Sequence, residues 1–223
     1  DGRQGISYGN RLDRLSLKEL AEWSLVNCRN SEPEEGIMLY DGEMVSDPAL
    51  DLEDPQIVAV TPQKRMEYCR EMTGYARSAD KKVISVRSAS WNDGWGSSFY
   101  CTSTGLAGWE RGSSASCVVT VIADDGTNTE IGGYGLESRR LDELDIKQTA
   151  LRAVEKTVSA LGGKPIRTGP YTIVIDPETA SSLVEVIGDL FCAPEIHKGR
   201  SMMKGRLGEK IASSCVTLID DGR

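Results

Sequence analysis

The chain has 223 residues, 39% of them hydrophobic and 27% charged, with 34 acidic against 26 basic side chains and a net charge of −8. That length holds one large domain or about two ordinary ones, and the negative field opposes nonspecific binding to nucleic acid, whose affinity comes from neutralised phosphates. No run approaches the roughly 18–20 apolar residues that span a bilayer, and Asp1-Gly2-Arg3-Gln4-Gly5 lacks a signal peptide's apolar core, so the expectation is a cytoplasmic protein that binds neither membrane nor nucleic acid.

In chain order, residues 1–14 read as a loop. Ser16, with Glu19 three residues on, makes a capping box for a helix whose apolar stripe is Leu17, Leu20, Ala21, Trp23, Leu25 and Cys28. Gly36, Gly42, Pro48 and Pro55 punctuate the next stretch. Its acidic cluster, Asp47, Asp51, Glu53 and Asp54, lacks the spacing and closing glutamate of a calcium loop and reads as a solvated loop. Thr61–Pro62 opens a second helix, with Met66, Cys69, Met72 and Ala76 at helical spacing.

From Val83 the apolar period changes to two. Residues 83–89, 97–103, 114–123 and 127–134 are predicted strands, with turns at Asp124-Asp125-Gly126 and at Trp91-Asn92-Asp93-Gly94. A helix over 141–161 follows, faced by Leu144, Leu151, Val154 and Val158 and stopped by Gly162–Gly163. The fold class is therefore α+β, an antiparallel sheet with packed helices. Residues 1–163 form its N-terminal domain, and 164–169 is the linker.

The second part opens with an apolar run, residues 171–175, predicted as a strand. Asp176–Pro177 suits an N-cap and first helical position, and Ala180, Leu183, Val184, Ile187, Leu190 and Phe191 continue as a helix. Then comes a glycine-rich basic loop holding Lys198, Arg200, Lys204, Gly205, Arg206, Gly208 and Lys210, and a last predicted strand, 214–219, before Asp220-Asp221-Gly222. Glycines let backbone N–H groups approach a ligand closely, so this loop reads equally as an anion or peptide clamp and as a solvated turn. It is no Walker loop. The six cysteines are scattered without a Cys-x-x-Cys pair and read as buried, reduced thiols. His197 is the sole histidine, so neither a His-pair zinc site nor a serine-nucleophile triad is expected in this chain.

Strand, Asp-Pro helix start, Lys-Gly-x-Ser…Gly-x-x-Gly-Glu loop and Val-Thr-x-x-Asp-Asp-Gly end together resemble the TldD/PmbA family, also known as modulators of DNA gyrase or U62-type metallopeptidases. Ser103-Thr104-Gly105-Leu106-Ala107-Gly108 and Ile122-Ala123-Asp124-Asp125-Gly126 look like the family as well. Its catalytic members carry His-Glu-x-x-x-His on the helix after the Asp-Pro turn. The matching positions here are Val184-Glu185-Val186-Ile187-Gly188-Asp189, so the chain looks like the PmbA (TldE) branch, which lacks the metal motif.

The resemblance implies a non-catalytic, substrate-enclosing subunit in peptide maturation and proteolysis. Residues 164–223 would begin a C-terminal, β-rich domain, and the chain would match only the middle of a family member. Lys198, Arg200, Lys204, Gly205, Arg206 and Gly208 would contact an extended peptide. The chain would need no cofactor, zinc would sit in a TldD-type catalytic partner, and a homo-oligomer is the other assembly. Two rivals are a protein-binding regulator of gyrase or of toxin–antitoxin components, and a self-standing metal hydrolase built on Glu185 and Asp189, which lie four apart on one helix face.

Overall fold

The structure, a computed structural model, describes residues 2–40 and 50–220. Asp47 of the acidic cluster, with Gly42 and Pro48, falls outside these residues, as do Asp221 and Gly222. The chain divides into two compact units, Asp1–Gly162 and Gly163–Arg223.

In the first unit, helix α1 (Arg14–Asn30) starts three residues earlier than a cap at Ser16 would place it. Asp13 is the N-cap, and its carboxylate accepts from Ser16 N at 3.1 Å and from Ser16 Oγ at 2.9 Å. A carboxylate three residues upstream outcompetes the serine as cap, because it accepts both the backbone and the hydroxyl proton. No residue of α1 is buried. The short helix α2 (Pro55–Val58) and helix α3 (Pro62–Ala79) follow. Thr61 caps α3, accepting from Lys64 N at 3.2 Å.

Three strands, β1 (Val83–Cys101), β2 (Ala107–Asp124) and β3 (Thr129–Ser138), form an antiparallel meander in the order β1-β2-β3. Two of the predicted strands are in fact one. The chain does not turn at Trp91-Asn92-Asp93-Gly94: Trp91 is buried opposite Cys117, and Asp93 is held by Arg65, so the alternation runs on through Gly94. Irregularities at Val83/Ser85 and Val86/Ser88 bend the strand instead. The β1–β2 turn lies further on, at residues 102–106, where Thr102 N donates to Leu106 O at 2.8 Å. The Asp124-Asp125-Gly126 turn forms as predicted. Gly126 has φ +87°, and Asp125 Oδ1 accepts from Thr127 N and Asn128 N.

Period two in β2 decides what is inside. Ala115, Cys117, Val119, Val121 and Ala123 alternate along one face and are buried, against Met72 and Ala76 of α3 and Ala150, Ala153 and Val154 of helix α4 (Ile146–Ala160). The small Ala and Cys positions let the helices approach. At Gly132 of β3 a Cβ would stand 2.6 Å from Thr157 Oγ1, so α4 seats directly on the sheet there. The predicted helix over 141–161 is interrupted: Leu141–Glu143 is a 3₁₀ turn, and Asp145 caps α4 afresh by accepting from Gln148 N at 2.8 Å.

The second unit holds helices α5 (Pro177–Asp189) and α6 (Ala193–His197). The predicted strands 171–175 and 214–219 join no ladder. Their composition suits a strand, but a strand exists only where a neighbour accepts its N–H and C=O groups. Val174 is 95% and Ile219 75% exposed.

Candidate functional site

Asp176 builds α5 from its first turn. Its Oδ1 accepts from Glu178 N and Thr179 N, both at 3.1 Å, and Pro177 fills the position that needs no N–H. Val184, Glu185 and Asp189 follow on this helix, all exposed. Gly188 O then accepts Phe191 N and Asp189 O accepts Cys192 N, which ends the helix.

Pro194 restarts the chain as α6, with His197 exposed in its last turn. Beyond it the backbone folds on itself: Glu195 O accepts Arg200 N at 2.8 Å and Ser201 N at 3.2 Å. Ser201 is the buried pin of this segment. Its hydroxyl donates to Leu190 O and accepts from Met203 N at 3.0 Å. Gly205 and Gly208 take φ +79° and +81°, a region L side chains avoid.

The six residues of the predicted clamp thus lie in one segment, and all are exposed. Their charges are partly answered from within it. Arg200 Nη1 stands 3.9 Å from Glu195 Oε1 and Arg206 Nε 2.9 Å from Glu209 Oε2. Both pairs face solvent, where such pairs contribute about 0–1 kcal/mol, so an incoming carboxylate can exchange with them.

A hydrolytic zinc takes three protein ligands, mostly imidazole nitrogens. The donor set of α5 is Glu185 and Asp189, Val184 offers nothing, and His197 lies on another helix. Among the described residues no three His, Cys, Asp or Glu side chains gather as a metal site. The residues present do not fit the zinc of a peptidase.

In the first unit the structure assembles groups that the sequence did not point to. Asp54, read as part of a solvated loop, is 4% exposed. It caps α2 by accepting from Gln56 N at 2.8 Å, accepts from Leu141 N at 2.8 Å, and its own N–H donates to Ser113 Oγ at 2.8 Å. The Leu141 and Gln56 amides, with the Arg140 charge nearby, hold its carboxyl below the ordinary value. The signal was available: Asp54–Pro55 is the same cap-and-N1 pair as Asp176–Pro177. Arg65 grips Asp93 with Nε to Oδ1 at 2.7 Å and Nη2 to Oδ2 at 2.6 Å, and Trp91 Nε1 adds a bond of 2.7 Å. Where β3 ends and β2 runs on, a cleft of about 560 Å³ opens, lined by Gly94, Trp95, Glu110, Gly112, Glu137 and Arg139 among others.

The thiols differ from expectation too. Cys117 is buried, Cys28 and Cys69 are half-buried, and Cys101, Cys192 and Cys215 are exposed. Burial pushes the Cys117 thiol up.

Two family models match. The PmbA/TldA metallopeptidase central domain matches residues 55–161 and the PmbA/TldA metallopeptidase C-terminal domain residues 168–223. A metalloprotease of Methanothermobacter thermautotrophicus is 36% identical over 110 residues, 46% of this chain and 24% of that protein. A metalloprotease of Methanocaldococcus jannaschii is 28% identical over 155 residues, 66% of this chain and 33% of that protein. The chain thus spans between a quarter and a third of the length of these curated relatives. Among solved structures, a Bacteroides thetaiotaomicron protein described as a modulator of DNA gyrase superposes with a TM-score of 0.84 at 25% identity, over 96% of this chain and 49% of that one. TldE from Thermococcus kodakarensis does so at 0.71 and 21% identity, over 96% and 48%, which shows a shared fold.

Proposed function

The chain belongs to the PmbA/TldD family, and from that premise we propose that it is a non-catalytic, substrate-enclosing subunit of a cytoplasmic TldD/TldE-type peptidase acting on unfolded or extended peptides. In this reading residues 1–163 are its α+β domain and residues 164–223 the opening part of its C-terminal domain. One observation carries the proposal. By the resemblance, Val184 and Asp189 match the positions of the family's two histidines, and on the well-capped helix α5 they and Glu185 are exposed, with no three metal-ligating side chains gathered among the described residues. The catalytic metal then belongs to a TldD-type partner.

A subunit without reactive groups still contributes by holding the scissile bond in place, since positioning supplies much of a catalyst's power. The segment at Lys198, Arg200, Lys204, Gly205, Arg206 and Gly208 is the proposed hold. Exposed guanidinium groups can trade Glu195 and Glu209 for a peptide's terminal carboxylate, and the glycines admit its backbone.

The test has two arms. Elemental analysis of the purified chain finds no stoichiometric zinc, and peptide hydrolysis is absent for the chain alone and present when a zinc-bearing TldD-type subunit is added. Arg200→Ala with Arg206→Ala lowers turnover by the pair while assembly persists. Robust hydrolysis by the chain alone, or one zinc per chain lost on Glu185→Gln, overturns the non-catalytic assignment. Unchanged turnover in the double variant overturns the role of the loop.

The gyrase-modulator description of the Bacteroides relative favours one second reading, a protein-binding regulator without peptidase work. A net charge of −8 turns such a regulator toward protein rather than DNA. Full inhibition or protection of a protein target with no peptide turnover in any pairing would select it.

A further inference from the structure

Ser201 uses every hydrogen-bonding group it has. Its N–H donates to Glu195 O at 3.2 Å, and its own carbonyl accepts Lys204 N at 3.3 Å. Its hydroxyl donates to Leu190 O and accepts from Met203 N at 3.0 Å. At 6% exposure it is buried in a segment whose neighbouring residues, 197–200 and 202, stand in solvent. One small residue thereby joins the end of α5, helix α6 and the basic loop.

From Ser201 the loop runs on as successive turns, each closed by a carbonyl that accepts the amide three residues on. Ser201 O takes Lys204 N, Met203 O takes Arg206 N at 3.1 Å, and Arg206 O takes Glu209 N at 3.1 Å. Arg200 stands just before the first turn, its N–H sharing the Glu195 carbonyl with that of Ser201. Both guanidinium groups are therefore carried on backbone whose path starts at Ser201. A free loop loses conformational entropy when it closes on a ligand, and a loop already held loses less. We propose that Ser201 is the positioning residue of this segment: its hydroxyl holds Arg200 and Arg206 ready for a peptide's terminal carboxylate, so that a free C-terminus is preferred over an amidated one. The inference rests on the peptide hold proposed above for the same segment.

Charge and position can be told apart here, because Ser201 is neutral. Attraction of a carboxylate by the loop's cations acts at a distance, is screened by salt and does not depend on the turns. Directed N–H bonds from guanidinium groups do depend on them, since each N–H must meet an oxygen nearly in line. Ser201→Ala leaves Leu190 O and the Met203 amide without the partner they have now, in a place that water barely reaches. The turns loosen, the affinity falls, and its dependence on salt stays, because every cation is still present. Arg200→Ala with Arg206→Ala removes the charges themselves and lowers both the affinity and its dependence on salt.

The test is fluorescence anisotropy of a dye-labelled extended peptide, made with a free and with an amidated C-terminus and titrated across salt. It is run on the chain alone and on its pair with a TldD-type subunit under a zinc chelator, which keeps the peptide intact. Amide exchange over residues 200–206 is read on the same variants. The wild type is expected to bind the free-carboxylate peptide at least about fivefold more tightly. Ser201→Ala loses about that factor at unchanged salt dependence, and exchange over 200–206 speeds up. Ser201→Thr keeps the hydroxyl and restores both readouts. Wild-type affinity in the alanine variant overturns the role of Ser201 while the peptide hold stands, as does a threonine variant that behaves like alanine. An alanine variant whose salt dependence drops to that of the double arginine variant also overturns it. Equal binding of the two peptides by the wild type overturns the carboxylate preference, and binding of neither overturns the hold and this inference together. Hydrolysis does not enter these readouts, so the non-catalytic assignment and the role of Ser201 fail separately.

Discussion

Residues 55–161 and residues 163–220 begin their helices in the same way and end differently. Thr61–Pro62 opens α3 and Asp176–Pro177 opens α5, each with an apolar stripe behind it. α3 buries Met72 and Ala76 completely, while α5 buries nothing, with Leu183, Val184 and Ile187 all more than 40% exposed. Ser201 is the one buried residue among the described residues of the second unit. Capping is a local event, settled within four residues. Burial needs a second surface, and the sheet supplies one to α3 and α4. The first unit is held by its core and the second by its turns and caps.

The largest effect that would break this comparison lies in the core. Met72→Ala removes a side chain with no exposed surface from the core that α3 shares with α4 and the sheet, and is expected to cost about 2–5 kcal/mol. Chemical denaturation followed by tryptophan fluorescence measures it. A loss under about 1 kcal/mol would mean that the helix and sheet are not one cooperative unit.

Next is Arg65→Ala. It strips two charge-assisted bonds from Asp93, whose side chain is 5% exposed, and leaves only the Trp91 bond. Because the guanidinium itself is 42% exposed, the cost stays below that of a fully buried pair, at about 2 kcal/mol. Arg65→Lys should not restore it, since an ammonium cannot present two parallel N–H groups. Full rescue by lysine would reduce the contact to simple charge attraction.

Acid should then separate the units. Asp54 is stabilised as a carboxylate by the Leu141 and Gln56 amides, so its folded carboxyl titrates below the unfolded one. The unfolded state therefore takes up its proton first as pH falls. The stability that this group contributes is full above the unfolded value, about pH 4, and is lost as pH drops through the folded one. Asp54→Asn should flatten the acid limb of the first unit's unfolding and lower its midpoint by a few degrees at neutral pH. An unchanged acid limb would remove Asp54 from the account.

Much of this was legible from residue pattern, and the limits have physical causes. The period-two run of β2, the Asp124-Asp125-Gly126 turn and the Asp176 cap are short-range facts, and they formed where expected. Asn92-Asp93-Gly94 is good turn chemistry, but the core takes Trp91 and an arginine from α3 takes Asp93, so no turn forms there. Around Asp54 the acidic neighbours point to solvent, while the cap signature with Pro55 points to the buried helix start that forms. Residues 171–175 and 214–219 have a strand's composition and, among the described residues, no neighbour to pair with. For the candidate site, the run Val184-Glu185…Asp189 and the lone His197 were readable directly, since the identity of a donor needs no structure. The pairing of Arg200 with Glu195 and Arg206 with Glu209 was not, because it depends on the turns at Gly199, Gly205 and Gly208.

The smallest effects invert the ranking between the two units, and so test the comparison most closely. In a helix with no buried face, deleting apolar surface should matter less than deleting the cap. Ile187→Ala in α5 removes a side chain 44% exposed, and its effect on local helix opening is expected at about 0.5 kcal/mol or less. Asp176→Ala removes the acceptor of the Glu178 and Thr179 amides and should cost about 1 kcal/mol. That is enough to open a 13-residue helix, a length at which helices in water are marginal. Amide exchange over residues 180–189, compared between the two variants in the whole chain, reads both. If Ile187→Ala proves the more damaging, α5 has an apolar partner in solution, and the second unit is held by burial after all.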